Sequence, residues 1–142
     1  MKDVILNKSA TIELCLKQIH EIYQGNIGNL ADCTKQDSII LTIQCACEAS
    51  IHLAMYIVSE QQLGIPKASR DGFKLLQEAG VMEENLAQAM MNMIGFRHYY
   101  QALELDILEI ILDKHMENFK AFIKAILQFE ETREWRKQQA RL

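Results

Sequence analysis

The sequence predicts an all-α fold, an antiparallel bundle of about five helices. Three observations predict it. The 142 residues include one proline and six glycines, which leaves long runs that a helix can cross without a break. Apolar residues recur at intervals of about three, four and seven, the period of a helix face. Leu, Ile, Met, Ala, Glu, Gln and Lys are plentiful while Val and Thr are scarce, a bias toward helix over strand.

The first helix is expected from Val4 to Tyr23, with Ile5, Ile12, Leu16, Ile19 and Tyr23 on its apolar face and Gly25 and Gly28 stopping it. Asn26 to Lys35 reads as a polar loop. A second helix is expected from Asp37 to Gln61. Ile39, Ile40, Ile43, Cys47, Ile51, Ala54, Met55 and Val58 give it the wide apolar face of a central bundle helix. In LGIPKASRDGF, Gly64 and Pro66 force a loop. Ser69 is placed to cap a short third helix that carries Phe73, Leu75 and Leu76 and closes at Gly80. A fourth helix is expected from Met82, with Glu83 and Glu84 favourable at its N-terminus and Leu86, Met90, Met93, Ile94 and Phe96 along it. RHYYQALELD has no clear period. A last long helix starts near Leu105 and carries Ile107, Leu108, Ile111, Leu112, His115, Phe119, Phe122, Ile123 and Ile126. It frays into the charged stretch EETREWRKQQARL. One domain over 1–142 is expected, with 130–142 a charged helical tail. The breadth of the apolar faces points to a homodimer.

The chain is 49% hydrophobic and 24% charged, the balance of a globular protein. Its net charge of −4 argues against a general affinity for nucleic acid but leaves room for a local basic site. The start, MKDVILNKSATIELC, lacks the apolar run and cleavage site of a signal peptide. No stretch reaches about 18–20 uninterrupted apolar residues. A cytoplasmic protein without membrane contact is expected, with Cys15, Cys33, Cys45 and Cys47 reduced.

The cysteines make a poor metal site. Cys45 and Cys47 point about 200° apart on a helix, and no pair has zinc spacing. Buried free thiols are the expected reading. His20 and His52 fall on helix flanks and His115 beside an apolar stripe, where packing or exposure accounts for them. The tail cations Arg133, Arg136, Lys137 and Arg141 could meet phosphates, but a solvated helix end explains them as well. There is no glycine-rich phosphate loop and no acidic metal cluster, so any catalysis is expected to need no metal or other cofactor. The cluster Arg97-His98-Tyr99-Tyr100 is different. It joins a permanent cation suited to phosphate, a base that titrates near neutrality, and two phenols that can donate hydrogen bonds or be modified. From spacing alone, a basic helix end accounts for it equally well.

Three segments together resemble a known family: QDSIILTIQCACEASIHLAMYI, LGIPKASRD, and MIGFRHYYQALELDILEIILDKHMENFKAFIKAI. They are similar to the HepT toxins, the HEPN-domain halves of HEPN–MNT toxin–antitoxin modules, over nearly the whole chain from Met1 to Phe129. The resemblance implies a homodimeric helical toxin and a metal-independent ribonuclease. Its motif is Arg, four to six residues, His, any residue, Tyr, and the motifs of two protomers meet in a cleft. It implies RNA as substrate, with tRNA among the classes, and a minimal nucleotidyltransferase antitoxin that attaches AMP to the motif tyrosine. Arg97, His98 and Tyr100 match the catalytic motif, and Tyr100 the AMPylated tyrosine. Glu48 matches the glutamate that ends a Gln-Arg-x-x-Glu run in many relatives, and two readings stay open for it, support of the cleft or a simple pairing with Arg97 or a nearby amide. His98 would move the proton as a ribose 2′-hydroxyl attacks the phosphate, and Arg97 would stabilise the developing charge. AMP on Tyr100 would occlude and repel the substrate phosphate.

The chain departs from that pattern at two places. The spacer between Arg97 and His98 is absent, and helical neighbours diverge by about 100°. A form that is weakly active or inactive is therefore expected. Cys45 stands where many relatives have an arginine. Two alternatives stay open: a non-catalytic module or decoy that binds the nucleotidyltransferase, and a nucleotide-binding helical domain without toxicity.

Overall fold

The computed structural model describes residues 2–96 and 105–141. Helix α1 spans Lys2–Tyr23 and buries Ile5, Ser9, Ile12, Cys15, Ile19 and Tyr23, one face at steps of three and four. It ends where Gln24 and Gly25 take φ of 53° and 67°, a left-handed turn that a glycine adopts without strain. A 3-10 turn at Ile27–Leu30 follows, its start fixed by the Asn26 side chain, which accepts from the Gly28 N–H at 2.9 Å.

Helix α2, Cys33–Glu60, begins ahead of the expected Asp37. Asp32 is the reason: its carboxylate accepts from the Lys35 N–H at 3.1 Å and caps the first turn. Ile39, Ile43, Ala46, Cys47, Leu53, Ala54 and Ile57 are buried along it, which makes it the central helix of the bundle. Its length and its mean hydropathy of 1.4 match those of a membrane span by composition alone. Here more than half of that apolar window is covered by the rest of the protein.

Helix α3, Asp71–Glu78, is not capped by Ser69 as expected. Arg70 holds the cap position without a side-chain bond. The turn before it is held from inside the helix, where Asp71 Oδ2 accepts from the N–H groups of Lys67 (2.9 Å) and Ala68 (3.0 Å). Gly64 precedes this turn with φ of 144°, and a Cβ there would stand 2.9 Å from Leu75 Cδ2, so the position needs glycine. Gly80 closes α3 as expected. With φ of 79° it lets the Val81 N–H reach the Leu76 carbonyl at 2.9 Å.

Helix α4, Glu84–Phe96, buries Ala87, Met90, Met93 and Ile94. The last helix runs as α5 (Leu105–Ile110), a π-helical turn (Ile111–His115) and α6 (Met116–Ala140), joined end to end. The π turn was not foreseen. Rather than fraying from residue 130, α6 stays helical to Ala140. Glu130 is buried there and takes two bonds from Arg133, Nε to Oε2 at 2.9 Å and Nη2 to Oε1 at 2.8 Å.

Among the described residues every regular element is helical. α1 runs antiparallel to the last helix, with Tyr23 beside Asp113 at one end and Ile5 near Leu127 and Glu130 at the other. At the centre Phe73 of α3 meets Phe122 of α6 edge to face, ring centroids 5.4 Å apart at 64°. Phe119 is fully buried in the same core.

Candidate functional site

The buried face of α4, packed in the core through Met90, Met93 and Ile94, brings the chain to Phe96. The buried Leu108 and Ile111 take it up again in the last helix. The motif residues Arg97, His98 and Tyr100 lie between these anchors, outside the described residues. Of the expected site residues, Glu48 is described. It is exposed on α2, on the face that also bears Leu41, Cys45 and His52 at helical spacing. α2 thus places a carboxylate on the surface and turns its other face into the core, where the Cys47 thiol meets the Met93 carbonyl at 3.8 Å.

The thiols divide. Cys15 and Cys47 are buried as expected, whereas Cys33 and Cys45 are exposed, contrary to the reading of all four as buried. His20 and His52 are exposed, as their flank positions implied. His115 is half-buried, its Nδ1 3.5 Å from Asn118 Nδ2. Among the described residues no group of three His, Cys, Asp or Glu side chains could hold a metal ion. In the tail, Arg133 is engaged by Glu130 and Glu134, while Arg136 and Lys137 are exposed.

Two grooves were not singled out from the sequence. One, of about 280 Å³, lies between α4 and the π turn and is lined by Asn85, Gln88, Asn92, Met93 and His115. Carboxamides and an imidazole offer both donors and acceptors there, the chemistry that reads nucleobase edges. Its signal in the sequence was the polar stripe Asn85, Gln88, Asn92 opposite the apolar face of α4. The other, of about 570 Å³, runs between α1 and α6, with Lys17, His20, Glu117 and Lys120 on its walls and Leu16, Ile19 and Met116 among its apolar lining. At its end Tyr23 Oη donates to Asp113 Oδ1 at 3.0 Å. Burial, and then the Asp113 carboxylate, push the Tyr23 phenol up to about 12. It stays protonated as a donor at any physiological pH.

A family profile described as Ribonuclease HepT-like matches residues 12–126, a span that includes the motif. An mRNA nuclease HepT of Shewanella oneidensis is 42% identical over 130 residues, covering 89% of this chain and 98% of its own. Two solved structures share the fold. One is a tri-AMPylated Shewanella oneidensis HEPN toxin in complex with MNT antitoxin: TM-score 0.85, 41% identity, 90% of this chain and 99% of that chain. The other is a toxin–antitoxin with AMP-PNP: TM-score 0.83, 41% identity, 89% of this chain and 98% of that chain. With a helical bundle that superposes on theirs and two-fifths of its residues in common, this chain belongs to the HepT-like family of HEPN-domain toxins.

Proposed function

We propose that this chain is the toxin half of a toxin–antitoxin module, paired with a nucleotidyltransferase antitoxin of the MNT class that attaches AMP to Tyr100. The observation that carries the reading is the likeness, at 41% identity over nine-tenths of the chain, to a HEPN toxin that is itself AMPylated and bound to an MNT antitoxin. In this reading two copies join so that their motifs face one cleft. RNA is the substrate, Arg97 stabilises the phosphorane charge, His98 transfers the proton, and Glu48 supports the cleft from α2. The groove of Asn85, Gln88 and Asn92 on α4 gives the RNA a hydrogen-bonding wall.

The contracted motif sets the level of activity. Two groups that must converge on one phosphodiester lose orders of magnitude in rate when displaced by about an ångström. With no residues between Arg97 and His98, RNA cleavage is weak or absent. That contraction favours a second reading, in which the chain serves as a non-catalytic target of the nucleotidyltransferase.

The test has two arms. The purified chain is incubated with the antitoxin and ATP, and the peptide holding Tyr100 is weighed. One added AMP or more on that peptide supports the module, and none, with the antitoxin shown to be active, removes it. A variant with four residues restored between Arg97 and His98 is then assayed on RNA beside the unaltered chain. The ribonuclease reading requires a gain of about a hundredfold or more in cleavage. No gain, with AMP transfer intact, leaves the non-catalytic target.

A further inference from the structure

The distal part of α6 keeps its charges apart, and a groove runs along each flank. The groove between α6 and the start of α1, of about 470 Å³, is lined by Glu130, Glu131 and Glu134, with Lys2 its one cation among the described residues. The groove between α6 and the end of α2, of about 330 Å³, has Gln61, Phe129, Thr132, Arg133, Arg136 and Lys137 in its lining. Among the described residues no carboxylate lines it. Arg133 separates the two flanks. It donates through Nε and Nη2 to Glu130 and through Nη2 to Glu134, which holds those carboxylates on the acidic side. Arg136 and Lys137 are exposed on the other side and pair with no carboxylate among the described residues. Trp135 is the one tryptophan of the chain. It is 60% exposed and stands about 100° round the helix from Arg136, beside the basic groove.

We propose that this groove is a second holding point for RNA: Arg136 and Lys137 take phosphates of a single strand, and Trp135 stacks on one of its bases. Cations that track a backbone next to an aromatic ring open to water are the parts that single-stranded nucleic acid requires. Arg adds a planar fork that matches phosphate oxygens. An acidic peptide would answer the cations but leave the indole without a flat partner. The inference rests on RNA as the substrate of the toxin reading and goes beyond it. The α6 residues of the groove lie past the span 12–126 that the family profile matches. They also lie far from the motif. The last helix begins at Leu105, just past the motif, and Arg136 is about 45 Å further along it. The groove therefore holds a strand away from the cut.

The same cations lie near the C-terminal ends of α2 and α6, where positive charge favours the helices themselves. The experiment separates the two roles. The full-length chain is titrated with a 2′-O-methyl oligouridylate of about twelve nucleotides, which has no free 2′-hydroxyl to attack, and the emission of Trp135 is followed. Binding should quench it. The double variant Arg136→Gln, Lys137→Gln should bind about tenfold or more weakly at about 0.05 M salt. Its slope of log affinity against log salt should be shallower by about 1.4, since each phosphate held on a single strand contributes about 0.7. Its melting temperature should stay within about 2 °C of the unaltered chain. Trp135→Ala, followed by filter retention of the labelled oligonucleotide, should lose about fivefold or more. Lys120→Gln, on the same helix outside the groove, should leave both affinity and slope unchanged.

An emission that does not change overturns the proposal. So does a double variant that melts lower and binds as before, which would give the cations to the helix ends. Equal affinity in Trp135→Ala overturns the stacked base. A polyglutamate peptide that quenches Trp135 as strongly as the oligonucleotide overturns RNA as the partner. None of these results touches the toxin reading, which AMP transfer to Tyr100 tests by itself.

Discussion

The last helix is fastened at two places that differ in kind. Near its start, in the π turn, Asp113 accepts a hydrogen bond from Tyr23, 90 positions earlier on α1. Near its end Glu130 accepts two bonds from Arg133, three positions later on the same helix. The far end is regular α-helix and is fastened from within. The near end departs from α geometry and is fastened from outside. A widened turn gives up regular backbone bonding, and such turns persist where a specific interaction selects them. Here a buried phenol on another helix bonds to a side chain of the widened turn.

Breaking the internal fastening should have the larger effect. Glu130→Gln removes the negative charge that answers Arg133 in a largely buried setting. The expected cost is about 2–3 kcal/mol in denaturant unfolding, with Glu134, also 2.9 Å from Arg133, limiting the loss. The Arg133 guanidinium holds the Glu130 carboxyl below its ordinary value of 4.5. The ionised carboxylate therefore contributes fully above that value, and the contribution fades as pH falls below it through the depressed folded value. The stability gap between the unaltered chain and Glu130→Gln should shrink below pH 4.5. A gap that stays constant down to pH of about 3 would assign the stabilisation to packing instead of charge.

Breaking the external fastening should cost less in total and more in one place. Tyr23→Phe keeps the buried ring and loses the bond. Asp113 is exposed and can turn to water, so the expected loss is about 1 kcal/mol. The Tyr23 phenol is raised from 10 to about 12, so its contribution is whole below pH 10 and is lost as pH rises from there through 12. The unaltered chain should lose stability over that alkaline range faster than Tyr23→Phe does. Hydrogen exchange should also quicken at Ile111–His115 in the variant while residues near Glu130 stay protected. Uniform quickening along the helix would mean that the turn does not depend on Tyr23.

The two fastenings also separate what the sequence revealed from what it did not. Helices, the central place of α2 and the closure at Gly80 follow from periodicity and local chemistry, and all were legible. So was the opposition of Cys45 and Cys47, a matter of angle on a helix. The start of α2 was misplaced because Asp32, inside a polar loop, was not weighed as a cap. The cap of α3 was misplaced because Asp71 bonds backward to Lys67 and Ala68 and Arg70 takes the cap position. The Tyr23–Asp113 bond joins residues 90 positions apart, and no local pattern marks it or the π turn that holds Asp113. As for the candidate site, the motif was legible only through family likeness. Glu48 proved exposed because the wide apolar face of α2 turns toward the core and leaves it outside.

Between the two fastenings lies Lys120, 3.2 Å from Glu117, with 61% and 77% of the two side chains exposed. This pair has the same spacing as Glu130 and Arg133 and the opposite environment. Water screens both charges, and each long side chain loses freedom in pairing, so Lys120→Gln should change stability by less than about 0.5 kcal/mol. The change should vanish in high salt. The variant separates geometry from burial as the cause of the strong fastening at Glu130. If it cost as much as Glu130→Gln, spacing alone would set the strength. The last helix would then be held evenly along its flank, and the contrast between its ends would carry no physical meaning.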